Sequence, residues 1–274
     1  MQIDLSIDTD VIRRRLTNFI KEKMAQAGFS RAVVGLSGGL DSALSCALAV
    51  EALGRENVLA VRMPYRTSNP DSLAHAGLLI EQLRMPNKVI EITDMVEPLF
   101  ALDPQITKLR KGNIMARDRM IVLYAQSEVF KGLVVGTGNK TEILLGYSTQ
   151  FGDSASALNP IGDLYKTQVR QLSRALNIPA PILHKPPSAD LWNGQTDEGE
   201  LGFMYEEVDR LLYLLVDRRY SRAECVEAGF GSDFVDMVVK RIKWSQFKRQ
   251  LPPVAKLDDR PDGYDFLGER NWGV

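Results

Sequence analysis

The chain of 274 residues holds only two cysteines and two histidines. Cys46 and Cys225 lie far apart and form no CxxC pair, so they support neither a disulfide framework nor a zinc site, and a reducing compartment suits them. His75 and His184 are too few for chemistry built on several imidazoles and read as surface or packing residues. Charge of one sign is also missing. The formal net charge is −1, which leaves no global field to draw the protein to nucleic acid or to an acidic membrane. No apolar run reaches membrane-spanning length, and the polar start Gln2-Ile3-Asp4-Leu5-Ser6 lacks the basic region and apolar centre of a signal peptide. The expectation is a soluble, cytoplasmic protein with no nucleic-acid and no membrane partner.

What is present is a globular composition, with 45% apolar and 25% charged residues, enough for one large core. One domain over 1–274 is expected, with a core sheet over about 29–165, a helical part over about 166–250 and a flexible tail over 251–274. Apolar side chains at Val11, Ile12, Leu16, Phe19, Ile20 and Met24 predict an amphipathic helix over 10–27, ended by Gly28. Short apolar runs at 31–34, 58–63, 88–92 and 133–136 alternate with helices predicted over 43–53, 71–83 and 113–130. That order predicts an α/β fold, a Rossmann-like doubly wound parallel sheet flanked by helices. After Tyr165 further helices are expected over 166–176, 205–216, 221–227 and 233–247. The tail from Leu251 is rich in Pro252, Pro253, Pro261, Gly263 and Gly268.

Between the first apolar run and its helix lies Ser37-Gly38-Gly39-Leu40-Asp41-Ser42. A small-residue turn opening a helix after a buried strand presents free N–H groups and a positive dipole end to an anion, most naturally phosphate. Asp41 would repel a bare phosphate, so the turn suits a polyphosphate carrying a cation such as Mg²⁺. The plainer alternative is a tight turn with Asp41 or Ser42 as helix cap. The hexapeptide resembles the pyrophosphate loop of the ATP pyrophosphatase family, and no Walker A pattern occurs in the chain.

A second stretch, 136–153, leaves the fourth predicted strand on the same rim, and its Glu142 can join Asp41 in holding Mg²⁺ or can merely support a helix start. Lys166 opens another helix, where spacing alone allows a site residue or a solvated charge. Arg117 falls on a helix face with Met120, Ile121 and Tyr124. Read as an apolar, core-facing stripe, that face demands an anionic partner, either a substrate or an internal carboxylate. Near the end, Lys240, Arg241, Lys243, Lys248 and Arg249 make a basic face opposite Phe234, Val235, Val238, Val239 and Ile242, suited to solvent or to a substrate phosphate.

Five blocks in order carry a wider likeness: 37–42, Lys111-Gly-Asn-Ile-Met-Ala-Arg-Asp-Arg-Met120, Gly136-Thr-Gly-Asn-Lys-Thr-Glu142, Pro160-Ile-Gly-Asp-Leu-Tyr-Lys-Thr167 and Pro187-Ser-Ala-Asp-Leu-Trp-Asn-Gly-Gln-Thr-Asp-Glu198. Together they resemble the NAD synthetases. The resemblance implies ATP-dependent amidation of nicotinic acid adenine dinucleotide (deamido-NAD) by ammonia through an acyl-adenylate, releasing AMP and pyrophosphate. It implies ATP binding by Gly35, Leu36, Ser37, Gly38, Gly39, Leu40, Asp41, Ser42, Thr137, Lys166 and Ser188. It implies Mg²⁺ on Asp41 and Glu142, catalytic roles for Asp41, Glu142 and Lys166, and deamido-NAD contacts from Arg117 and Lys248. A homodimer is typical of the family.

Many members have Lys and Asp where this chain has Gln150 and Ala157, and His where it has Phe247, positions that touch the dinucleotide. Many also carry a glutamine-hydrolysing domain that has no room here, so free ammonia, or ammonia from a separate glutaminase, is expected. The competing readings are another adenylating enzyme with the same loop, GMP synthetase-like or tRNA-modifying, and a non-catalytic nucleotide sensor.

Overall fold

The computed structural model describes residues 3–188 and 197–258. In chain order it runs α1 (Thr9–Gln26), β1 (Ala32–Gly35), α2 (Leu40–Leu53), β2 (Val58–Arg62), α3 (Pro70–Leu83), β3 (Asn87–Val89), α4 (Thr93–Ala101), α5 (Lys108–Phe130) and β4 (Leu133–Val135). It continues with α6 (Lys140–Leu145), α7 (Lys166–Ala175), α8 (Ala180–Leu183), α9 (Asp197–Leu201), α10 (Tyr205–Leu212), α11 (Arg222–Glu227) and α12 (Ser232–Trp244).

The strands pair in the order β3-β2-β1-β4, and every pairing is parallel. Successive strand side chains point to opposite faces, so each β-branched run serves two cores. Ala32, Val34, Val58 and Ala60 join a cluster with Ile20, Leu44, Leu79 and Leu172 from α1, α2, α3 and α7. Val33, Leu59 and Val61 face Val96, Phe100, Met115 and Val122 from α4 and α5. A third cluster, with Leu145, Tyr165, Tyr205, Leu211 and Val238, seats α10 and α12 beside α6 and α7. The fold is α/β and Rossmann-like, with helices on both faces of a parallel sheet. None of the described helices is long and apolar enough to cross a membrane.

Several boundaries differ from the sequence expectation. Helix α2 begins at Leu40 rather than Ala43, because Gly39 takes the preceding extended position, and Asp41 and Ser42 therefore lie within its first turn. The third strand shrinks to three exposed residues at the sheet edge. Helix α4, which contains Pro98, was unforeseen, as were α8 and α9. Helix α10 runs on into a five-residue π-helical segment, Tyr213–Asp217. The last helix stops at Trp244, and the 3₁₀ turn Gln246–Arg249 follows. Pro261, Gly263 and Gly268 of the tail, and residues 189–196 of the block 187–198, lie outside the described residues. Cys46 and Cys225 are free thiols, both buried.

Candidate active site

Because the strands are parallel, the segments after β1 and β4 leave the sheet on one rim. There a cavity of about 580 Å³ opens, lined by Gly35, Leu36, Ser37, Gly39, Leu40, Asp41, Ser42, Thr137, Glu142, Lys166, Ser188 and Lys248 among others. Gly38, expected among the nucleotide-binding residues, is not part of that lining. Its φ of +78° favours glycine, and a Cβ there would meet the Ser72 carbonyl oxygen at 2.1 Å. The two serines brace the turn: Ser42 Oγ accepts from Ser37 N at 3.2 Å and lies 3.0 Å from Ser37 Oγ. Gly39 offers α2 no side-chain cap, which leaves its first-turn N–H groups open to a ligand.

At the centre, Lys166 Nζ donates to Asp41 Oδ2 at 2.5 Å and to Glu142 Oε1 at 3.0 Å. Asn139 locks the pair together. Its Nδ2 donates to Asp41 Oδ1 at 2.8 Å, while its Oδ1 accepts from Glu142 N at 3.0 Å and caps α6. Burial pushes the Glu142 carboxyl up to about 8, with the Lys166 ammonium pulling the other way. For Lys166 burial opposes the charge, but Asp41 and Glu142 outweigh it and hold the ammonium above its usual range. The Lys166 ammonium also lies 5.1 Å from the centre of the Tyr205 ring. Tyr205 donates its hydroxyl to Asp197 at 3.2 Å, and the Tyr147 hydroxyl lies 2.8 Å from Glu200 Oε2 and 3.2 Å from Asp197 Oδ1.

The two carboxylates suit a hard cation. The ammonium between them shows that a positive centre fits there, and Mg²⁺ is commonly held by one or two carboxylates plus phosphate oxygens. Among the described residues no cluster of three or more His, Cys, Asp or Glu could hold a metal alone.

Arg117 departs from expectation. The face it shares with Ile121 and Tyr124 is apolar but points outward, with Ile121 60% and Tyr124 41% exposed. Arg117 is itself exposed, outside the cavity lining, and its Nε donates to the Gln150 carbonyl at 3.3 Å. No buried charge demands an anion there. Lys248 does line the cavity, yet its ammonium already serves the Gly146 and Ser148 carbonyls, each at 2.7 Å. Phe247 is exposed, and Ala157 N donates to Val134 O at 2.9 Å beside the sheet.

Residues 12–252 match the NAD synthase family. The chain belongs to that family. It is 54% identical over 269 residues to the NH(3)-dependent NAD(+) synthetase of Trichlorobacter lovleyi, covering 98% of each chain. It is 52% identical to the enzyme of the same description from Fusobacterium nucleatum, over 92% of this chain and 98% of that one. Among solved structures, the NH3-dependent NAD synthetase of Campylobacter jejuni superposes with a TM-score of 0.79 at 33% identity, over 92% of this chain and 100% of the other. An NMN synthetase from Francisella tularensis gives the same TM-score and identity, over 91% and 99%. The glutamine-dependent NAD+ synthetase of Acinetobacter baumannii matches at TM-score 0.68 and 26% identity, with 97% of this chain covering 50% of that one.

Set beside the NAD synthase blocks, the residues that sequence reasoning passed over are Asn139, Tyr147, Asp197 and Tyr205. Asn139 and Asp197 stood inside quoted blocks. Their short polar side chains next to a glycine and a threonine were the available signal. Nothing local marked the two tyrosines, whose partners come from distant parts of the chain.

Proposed function

We propose that this cavity adenylates the carboxylate of deamido-NAD and then amidates it, with Asp41, Glu142 and Lys166 as the working groups. The chain is a carbon–nitrogen ligase of the ammonia-dependent NAD synthetase type, and ATP is its co-substrate. A carboxylate does not yield directly to ammonia, so its oxygen first attacks the α-phosphorus of ATP. The bond from that phosphorus to the β-bridging oxygen breaks, and pyrophosphate leaves. Ammonia nitrogen then attacks the acyl carbon, AMP leaves with the electron pair of the broken carbon–oxygen bond, and the amide nitrogen loses a proton.

The chain's own groups serve the first step chiefly by position and charge. Residues 35–42, Thr137 and Ser188 cradle the nucleotide, with the α2 N-terminus facing its phosphates. Asp41 and Glu142 would hold Mg²⁺, which when bound offsets the charge of the departing pyrophosphate. Lys166, set beside both carboxylates, supplies a further positive charge to the phosphates. Arg117 and Lys248 take the dinucleotide, Lys248 by exchanging a carbonyl for a phosphate oxygen. The observation that carries this reading is the Lys166 ammonium set between Asp41 and Glu142 beneath the glycine turn.

The chain works as a homodimer in the cytoplasm. What supports a dimer is membership of the NAD synthase family, for which a homodimer is typical. Likeness to NH3-dependent relatives over 98% and 100% of their length supports free ammonia, or ammonia from a separate glutaminase, as the nitrogen source.

The test is an assay of AMP and pyrophosphate release by the purified protein. Release is expected only with ATP, Mg²⁺, deamido-NAD and ammonium together, and glutamine should not replace ammonium. Equal turnover without the dinucleotide rejects the assignment. Preference for a mononucleotide over the dinucleotide would move the assignment towards the NMN synthetase type of the Francisella tularensis relative.

A further inference from the structure

The first two N–H groups of helix α7 are capped from outside it, while within it Gln168 Oε1 accepts from Tyr165 N at 3.0 Å. Tyr165, just before it, offers no side-chain cap, yet the first two N–H groups of the helix are both taken. Lys166 N donates to Thr141 Oγ1 at 3.0 Å, and Thr167 N donates to Asp209 Oδ2 at 2.8 Å. The Thr141 hydroxyl in turn donates to Asp209 Oδ1 at 2.6 Å. Thr141 and Asp209 are each 0% exposed.

Burying a carboxylate is expensive, and here both oxygens are occupied while the positive end of α7 faces the charge. A serine or aspartate at position 165 would cap the helix with far less desolvation. The arrangement has a different consequence: Thr141 precedes Glu142 in α6, Lys166 opens α7, and Asp209 belongs to α10. One buried carboxylate thereby ties together the starts of the two helices that carry Glu142 and Lys166.

We propose that Asp209, acting through Thr141 and the Thr167 amide, is a positioning residue that holds the Lys166 ammonium in register for adenylation. This rests on the reading of Lys166 given above. Asp209 touches no substrate. Its influence passes through the backbone of α6 and α7, where a displacement near 1 Å suffices to slow a reaction about 100-fold.

The experiment compares Asp209→Asn and Thr141→Val, each alone and combined with Lys166→Met, by steady-state kinetics and by single-turnover AMP formation at high enzyme concentration. The amide of Asp209→Asn turns one acceptor into a donor facing Thr141 or the Thr167 N–H, and Thr141→Val deletes the relay at constant shape. Expected is a fall in kcat of about 10- to 100-fold in each single variant, with both KM values within about twofold. In the Lys166→Met background the same substitutions should cost less than about twofold. Equal losses with and without Lys166 would reduce Asp209 to a fold-stabilising role, and kcat values near wild type would overturn the proposal directly. If Lys166→Met itself keeps full turnover, the reading of Lys166 fails first and the positioning role falls with it. Should Asp209→Asn not fold, Thr141→Val decides alone.

Discussion

The Lys166 ammonium lies 2.5 Å from Asp41 Oδ2, although 125 positions of sequence separate them. Lys166 is 3% exposed, and it faces a second carboxylate, Glu142, at 3.0 Å. A buried lysine in such a pair is held by its partners against the cost of desolvation, so its removal strands two negative charges.

Lys166→Met is therefore expected to lower stability by about 3 kcal/mol near pH 8.5. The loss should shrink towards pH 6. With the ammonium gone, burial acts unopposed on Glu142, whose carboxyl already sits at about 8 in the intact site. A carboxyl raised in the folded state binds a proton that the unfolded chain releases near its ordinary value. Its stabilising effect is present at low pH and fades as pH climbs from that value through the folded one. Urea unfolding of wild type and variant at pH 6 and 8.5 measures the difference. A penalty that grew on acidification would contradict the pairing.

Gly38→Ala tests the turn itself. The left-handed φ of +78° disfavours a side chain, and a Cβ would come 2.1 Å from the Ser72 carbonyl oxygen. Backbone has no rotamer with which to yield, so either the turn or the start of α3 must shift. A loss of about 1–3 kcal/mol is expected, with a raised KM for ATP if the shifted segment is the one that meets the phosphates. Thermal unfolding together with the ATP dependence of turnover checks both. An unchanged ATP KM would separate this turn from nucleotide binding.

The parts of the fold that were legible in the chain are those set by short-range pattern. The apolar runs of β1, β2 and β4 and the stripe of α1 carry their period in consecutive residues, so they fell within a residue or two of expectation. Helix α4 was not legible because Pro98 sits inside it, a residue that reads as a breaker until its first-turn neighbours and Phe100 are seen against the sheet. At the site, Asp41 and Glu142 could be paired because parallel strands put both turns on one rim. Lys166 entered only through the family resemblance, since by spacing a lysine at a helix start reads alike whether it faces solvent or two carboxylates. Asp209 and Tyr205 belong to an element beyond the sheet, and only tertiary packing brings them against α7.

The same limit explains Arg117 and shapes its test. Helical spacing with Met120, Ile121 and Tyr124 identified an apolar face, but spacing does not distinguish a face turned to the core from one turned outward. Here Ile121 and Tyr124 face outward while Met120 lines the cavity, and Arg117 makes one long hydrogen bond to the Gln150 carbonyl. Arg117→Ala should then leave stability within about 0.5 kcal/mol, as for a surface substitution. If Arg117 binds a phosphate or carboxylate of deamido-NAD, loss of that charge-assisted bond should raise the dinucleotide KM about tenfold or more. The ATP KM should stay near wild type, since Arg117 lies apart from the glycine turn. Steady-state kinetics in each substrate with a melting curve separates the cases. A dinucleotide KM equal to wild type would confine Arg117 to the exposed face of α5, and a fall in melting temperature would mean that its bond to the Gln150 carbonyl carries structure that its exposure conceals.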